Sequence, residues 1–441
     1  MRWLIVEDAL RDRKGHWLEY VATISDGLRA LGDEVTVLAD RKAEPFVVER
    51  LRAKPILPKS IWHRMGQEKS RFVRYGRVPI HALATWWAMS RYLRKNSPGD
   101  IIFVPTVTVH HLLGWTLLLG RLLRTTEAKV LLFFINLPVR HDPGSGRPAW
   151  ISSPTAKLMN RLLQRMAPAI RSGRVVLGAE PPAMQSALAE LTGQKVIYLP
   201  QPVPDCESAV CGAQNPCMDT FASDQKSKIH NLKSKIENGL LMACYGAARG
   251  EKGSDILQEA IGRYLQEFPD SRARFALQWI EDFENERGQR VQKDAALVSD
   301  SRVEYVTNYF KNGEYPEQLK HTDVLLLPYR LSSYRLRGSR VALEGMTMGI
   351  PLVVTGGSSF AGQMENFGAG LCSEDGDVAS LTAAIRQMEL QFEALKAKAM
   401  ARKSAAQEEF SVSRFRQVLL AHLEGSCRGG REESLCNVGS N

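Results

Sequence analysis

Residues 1–40, MRWLIVEDALRDRKGHWLEYVATISDGLRALGDEVTVLAD, read strand, loop, helix, strand. Trp3 to Val6 is an apolar run, and Gly15 falls in the connecting loop. From His16 onward Leu18, Val21, Ile24, Leu28 and Leu31 recur at helical spacing. Gly32 ends that helix as a C-terminal cap, and Val35 to Leu38 is the next strand. Working outward, Ile101–Val104, Val130–Ile135, Arg174–Leu177 and Lys195–Leu199 are further apolar runs separated by helical patterns. Strands that are apolar throughout, alternating with helices, predict a parallel sheet covered on both faces.

Residues 201–237 break this rhythm: they are rich in Pro, Cys, Ser, Asp and Asn and read as a linker with an insertion. The alternation then restarts at Leu240–Tyr245, Phe275–Ile280, Val303–Val306, Val324–Leu327 and Leu352–Thr355. The predicted fold class is therefore α/β, with two Rossmann-like doubly wound domains, 1–200 and 238–409, facing a central cleft. A helix over 410–425 follows, and 426–441 is expected to be a disordered tail.

A chain of 441 residues with 44% hydrophobic and 24% charged content exceeds one core and is no disordered or fibrous protein. No apolar run reaches the length of a membrane span. The acids at Glu7 and Asp8 directly after the first apolar run mark a strand and not a signal peptide, which predicts a cytoplasmic protein. Seven cysteines without a CxxC pair fit neither a disulfide framework nor a common zinc motif, so free thiols are expected.

The net charge of +10 is concentrated. Residues 41–97 hold fourteen Lys/Arg against three Glu, together with Phe46, Trp62, Phe72, Tyr75, Trp86, Trp87 and Tyr92. Cations mixed with aromatics suit an anionic membrane surface, a nucleic acid, or simply a solvated face over core aromatics. No nucleic-acid-binding motif accompanies them, so no nucleic-acid partner is expected.

Two motifs carry chemistry. Tyr245-Gly246-Ala247-Ala248-Arg249-Gly250-Glu251-Lys252-Gly253 follows a strand and opens a helix. Glycines permit close backbone approach, while free amides with Arg249 and Lys252 suit a diphosphate. The second runs from Asp323 through Pro328 and Tyr329, then from Arg337 to Thr355. The amides of Gly338, Ser339, Arg340 and Val341 open a helix and are placed to receive an anion. Glu344, within the first two turns, can accept hydroxyl hydrogen bonds from a ribose.

From Glu251-Lys-Gly253, the Asp323–Pro328 strand and the Arg337–Thr355 run, the sequence resembles the family-four retaining glycosyltransferases of the GT-B fold. The resemblance implies a nucleotide-sugar donor on the second domain and a glycan or lipid-linked acceptor on the first. It makes Lys252, Arg249 and Glu344 the catalytic set, and Gly15, Gly246, Gly338, Ser339, Arg340 and Val341 the donor-binding set. It places His16 and His141 on the acceptor side. By the same resemblance the diphosphate leaves toward Lys252, Arg249 and helix amides, the acceptor attacks from the vacated face with retention, and no metal or cofactor takes part. The resemblance also favours an anionic membrane surface as the partner of residues 41–97.

Two positions depart from the family pattern. Leu336 stands where the first acid of a glutamate pair belongs, and Ala247 stands where an arginine does. These leave open a degenerate member that binds a nucleotide sugar or glycan without transfer. A nucleotide-sugar epimerase of the same fold fits the Arg337–Pro351 run less well. His110 and His111, at a helix start, read as capping or packing residues.

Overall fold

The computed structural model describes all residues except 13–16, 61–70, 142–145, 205–238, 311–312 and 437–441. The chain divides into two compact units, Met1–Pro202 with Ser411–Asn441, and Val203–Phe410. The linker and insertion expected at 201–237 lie almost wholly outside the described residues.

The first unit holds a seven-stranded sheet. Its strands are β1 (Arg2–Val6), β2 (Glu34–Asp40), β3 (Ala53–Leu57), β4 (Ile101–Val104), β5 (Lys129–Phe134), β8 (Val175–Ala179) and β9 (Val196–Tyr198), while β6 (Val139–His141) and β7 (Pro148–Trp150) form a separate antiparallel pair. The order is β3-β2-β1-β4-β5-β8-β9, and every pairing in the large sheet is parallel. β4 and β5 are apolar and buried almost throughout, as both faces of the sheet are covered by helices. Strand β3 lies inside the basic segment and was not expected. Its Pro55 is tolerated because β3 is an edge strand, and its Lys54 and Pro55 hide the alternation that would announce it.

The second unit holds β10 (Leu241–Cys244), β11 (Arg274–Gln278), β14 (Val303–Val306), β15 (Val324–Leu327), β16 (Leu352–Thr355) and β17 (Gly370–Ser373), in the order β14-β11-β10-β15-β16-β17. A short antiparallel pair, β12 (Phe283–Glu284) and β13 (Arg290–Val291), sits beside it. Counted within each unit, both sheets begin 3-2-1-4-5-6. Connections leave the first strand in opposite directions, so a crevice opens between the carboxyl ends of strands one and four. Those positions are β1/β4 in the first unit and β10/β15 in the second.

The final helix, Val412–Cys436, belongs to the first unit. Phe415 is fully buried, with its ring 5.5 Å from Phe103 and 6.3 Å from Trp3. Arg416 reaches Asp33 at 2.7 and 2.9 Å. The helix runs past Ser426, where a disordered tail was expected.

Candidate functional site

The phosphate-type turn sits at the second unit's switch point. Strand β10 ends at Cys244 and the chain turns at Gly246, whose φ of 86° is left-handed space that glycine occupies without strain. Its amide donates to Gln278 Oε1 at 2.6 Å. The absent side chain matters as much as the backbone angle: a Cβ here would overlap the Lys252 ammonium. Lys252 ends a 3₁₀ turn, Gly250–Lys252. Gly253, at φ 63°, then presses its α-carbon against the Pro328 carbonyl beyond β15. The two strand ends are thus locked together, and Lys252 Nζ lies 5.6 Å from the centre of the Tyr329 ring. Burial, with the Arg249 and Arg337 charges nearby, pushes the lysine down to about 8.

Arg249 and Lys252 are brought together, but in different roles. The Arg249 side chain is mostly exposed and stands 3.7 Å from Glu251, while its amide is bound by Ser254 Oγ. Arg337 is nearer the turn than the sequence reading recognised. It pairs with Glu251 at 3.1 Å and covers the Tyr334 ring at 4.8 Å. Glu251 therefore ties the cation-bearing turn to the second motif.

That second motif forms helix Arg340–Thr347, capped by Ser339, whose Oγ accepts from the Ala342 amide at 3.3 Å. Gly338 precedes the cap, and Val341 is buried in the first turn. Glu344 is only 3% exposed. One of its oxygens accepts from Arg340 Nε at 2.8 Å and the other from the Tyr315 hydroxyl at 2.7 Å. The expectation of a carboxylate offered to a ribose thus meets a carboxylate already held at both oxygens. Nothing in the sequence marks Tyr315 as its partner, because the contact joins distant elements. Tyr315 belongs to an aromatic wall with Tyr245 and Phe310, with ring centres 5.6–5.8 Å apart. Burial and the Glu344 charge push its phenol well above the ordinary range. Leu336 is half-buried just before the helix and supplies no acid.

Of the first-unit residues expected at the site, Gly15 and His16 lie outside the described residues. His141 is the half-buried last residue of β6, paired in register with Pro148. The first unit's own switch point holds polar groups the sequence reading passed over. Glu7 and Asp8, directly beyond β1, are 2% and 4% exposed. Asp8 Oδ2 is 2.7 Å from His81 Nε2 and 3.1 Å from His111 Nε2. Burial, with the Asp8 charge, pushes Glu7 up to about 7. His111 does cap its helix: its Nδ1 takes the Thr108 amide at 3.2 Å. Two acids directly after a first strand were the available signal. A groove of about 1140 Å³ lined by Arg2, Asp100, Lys129 and Arg416 lies at the opposite, amino-terminal edge of this sheet, away from the strand ends just described.

Residues 240–389, which hold Lys252, Arg337 and Glu344, match the family of glycosyl transferases group 1. Solved structures similar to the whole chain include a glycosyltransferase from Rickettsia africae, at 14% identity and TM-score 0.62, covering 97% of this chain and 98% of that one. Anabaena HepE in complex with UDP and glucose aligns at 14% identity and TM-score 0.59, covering 96% and 99%. Sucrose-phosphate synthase from Thermosynechococcus elongatus aligns at 14% and TM-score 0.57, covering 100% of both chains. These likenesses give the fold, GT-B, with two Rossmann-like units. No curated protein matches the chain by sequence. Among the described residues, no helix is long and apolar enough to cross a membrane.

Proposed function

We propose that the protein is a retaining glycosyltransferase that moves a sugar from a nucleotide-sugar donor to an acceptor hydroxyl. The observation that carries the reading is the Lys252 ammonium seated over Gly246 at the β10/β15 switch point of the glycosyl transferases group 1 domain. A desolvated cation beside a side-chain-free turn favours a diphosphate, whose charge grows as the sugar departs. The bond from the anomeric carbon to the phosphate oxygen breaks, and the acceptor oxygen bonds to that carbon on the same face. The hydroxyl proton leaves with the diphosphate, so no protein base and no metal is assigned. Gly246 and the amides of Gly338, Ser339, Arg340 and Val341 hold the donor. Arg249 and Arg337 supply surrounding positive charge. Gly15, His16 and His141 belong to the first unit's donor and acceptor side.

Glu344 acts in this reading as the group that fixes Arg340 and Tyr315, and it meets the ribose through rearrangement of that pairing. UDP in the HepE structures, and UDP-2-fluoro glucose in an Escherichia coli structure of 13% identity, make UDP-sugars the first donors to test. Transfer of labelled sugar from UDP-glucose and other nucleotide sugars to added acceptors tests the reading. Stoichiometric binding with neither transfer nor hydrolysis would leave the degenerate alternative, for which Leu336 and Ala247 speak.

The acceptor is proposed to be lipid-linked or part of a cell-envelope polysaccharide, reached from an anionic membrane surface on the cytoplasmic side. Helix Arg71–Leu93 supports this. Its inner face buries Val78, Ala82, Met89 and Tyr92, yet Ile80, Leu83 and Trp87 are 66%, 55% and 56% exposed at i, i+3 and i+7. Arg91 lies 5.5 Å from the Trp87 ring, with Arg94 and Lys95 exposed beyond it. An outward apolar stripe flanked by cations matches an anionic bilayer interface better than bulk water.

A further inference from the structure

We infer that Asp8, His81 and His111 form a divalent-cation site of the zinc class at the β1/β4 switch point of the first unit. Three chain segments converge there: the end of β1, the middle of helix Arg71–Leu93 and the first turn of helix Val109–Thr125. Their ligand atoms all lie within 4.8 Å of one another, and all three residues are buried. Two imidazole nitrogens approach the same carboxylate oxygen, at 2.7 and 3.1 Å. Three electron-rich atoms meeting in a buried pocket need positive charge between them, either as N–H protons or as a metal ion. Ligands of tetrahedral zinc, about 2.0–2.1 Å from the ion, stand roughly 3.3 Å apart, close to the two histidine–carboxylate separations of 2.7 and 3.1 Å.

One further atom points to an ion. Asp8 Oδ1 is buried without a hydrogen-bond partner among the described residues. A carboxylate that spends one oxygen on two histidines and leaves the other unsatisfied is under-used as a hydrogen-bonding group, and a cation at the cluster supplies the positive charge that it lacks. Two imidazoles with one carboxylate suit zinc, and three protein ligands leave a fourth position for water or a hydroxyl. Binding through His111 Nε2 moves its proton to Nδ1. There Thr108 Oγ1, at 3.0 Å, can accept it, which is the usual support for a metal-bound histidine. The Thr108 amide contact at 3.2 Å is given up in exchange.

The test uses the full chain stripped with a chelator and titrated with Co²⁺, then Zn²⁺. One equivalent of Co²⁺ should bind with the visible bands of a tetrahedral nitrogen and oxygen site, and Zn²⁺ should displace it. His81→Gln and Asp8→Asn should each weaken binding at least about 100-fold, the upper end of what lost supporting groups alone cost. His321→Gln, in the other unit, should bind as the parent does. A thiolate charge-transfer band, no retained Co²⁺, or unchanged affinity in His81→Gln overturns the assignment. Should Asp8→Asn not fold, imidazole nitrogen NMR of the parent decides. Zn²⁺ should convert His111 from the Nε2–H to the Nδ1–H form, and an unchanged tautomer overturns the site.

Discussion

Lys252 should give the donor site an alkaline limit. Its ammonium is pushed down to about 8 by burial and by Arg249 and Arg337. The charged form is therefore lost as pH rises through 8 in the unliganded protein. Between pH 7 and 9 its protonated fraction falls from about nine-tenths to about one-tenth, so affinity for UDP should drop about tenfold, or about 1.4 kcal/mol. Lys252→Ala should bind weakly at every pH, without that limb, and turnover should fall about 10²–10³-fold, as when one preorganised donor to a developing charge is removed. Titration calorimetry with UDP at several pH values reads the limb directly. The same depressed value has a stability consequence of opposite sense. Between about pH 8 and 10.4 the unfolded chain holds the lysine proton more firmly than the folded one, so stability rises with pH across that window. Lys252→Met should abolish the rise and stabilise the protein at pH 7 by up to about 3 kcal/mol. Flat UDP affinity in the parent from pH 7 to 9, or an unchanged limb in Lys252→Ala, would refute the placement of this cation at the diphosphate.

Gly246→Ala should imitate Lys252→Ala in UDP binding, because its methyl takes the space of the ammonium; its left-handed backbone adds about 1–2 kcal/mol of destabilisation, measurable by urea melts. Glu344→Ala should cost about 1–3 kcal/mol in the same assay, since it removes the buried carboxylate bound by Arg340 at 2.8 Å and by the Tyr315 hydroxyl at 2.7 Å. Asp33 is held down at about 2 although burial pushes upward, because Arg416, the amino terminus and Trp3 all donate to it. Its stabilisation, about 2 kcal/mol, is present above about pH 4 and lost as pH falls toward 2, so Asp33→Asn should flatten that part of the acid unfolding curve. Leu83→Asp with Trp87→Asp should change folding stability by no more than about 0.5 kcal/mol each while abolishing flotation with anionic vesicles; undiminished flotation would count against helix Arg71–Leu93 as the membrane face.

The sequence by itself determined the two-fold repetition of strand and helix. Runs such as Val324–Leu327 and Leu352–Thr355 are apolar on both sides, and only a sheet covered on both faces makes use of that. It also placed the Gly-rich turn and Lys252, because a glycine between strand and helix followed by a cation is a local pattern. Strand β3 stayed hidden, since an edge strand keeps neither full burial nor strict alternation. Long-range pairing was beyond sequence reading altogether. That Tyr315 takes one oxygen of Glu344, that Arg337 holds Glu251, and that His81 and His111 share one oxygen of Asp8 follows from which helices the sheet order brings together. Residues 73 and 103 positions apart become neighbours only when β1, its flanking helices and β4 are assembled. Local chemistry fixed the kinds of groups available, and the order of strands in the sheet decided which of them meet.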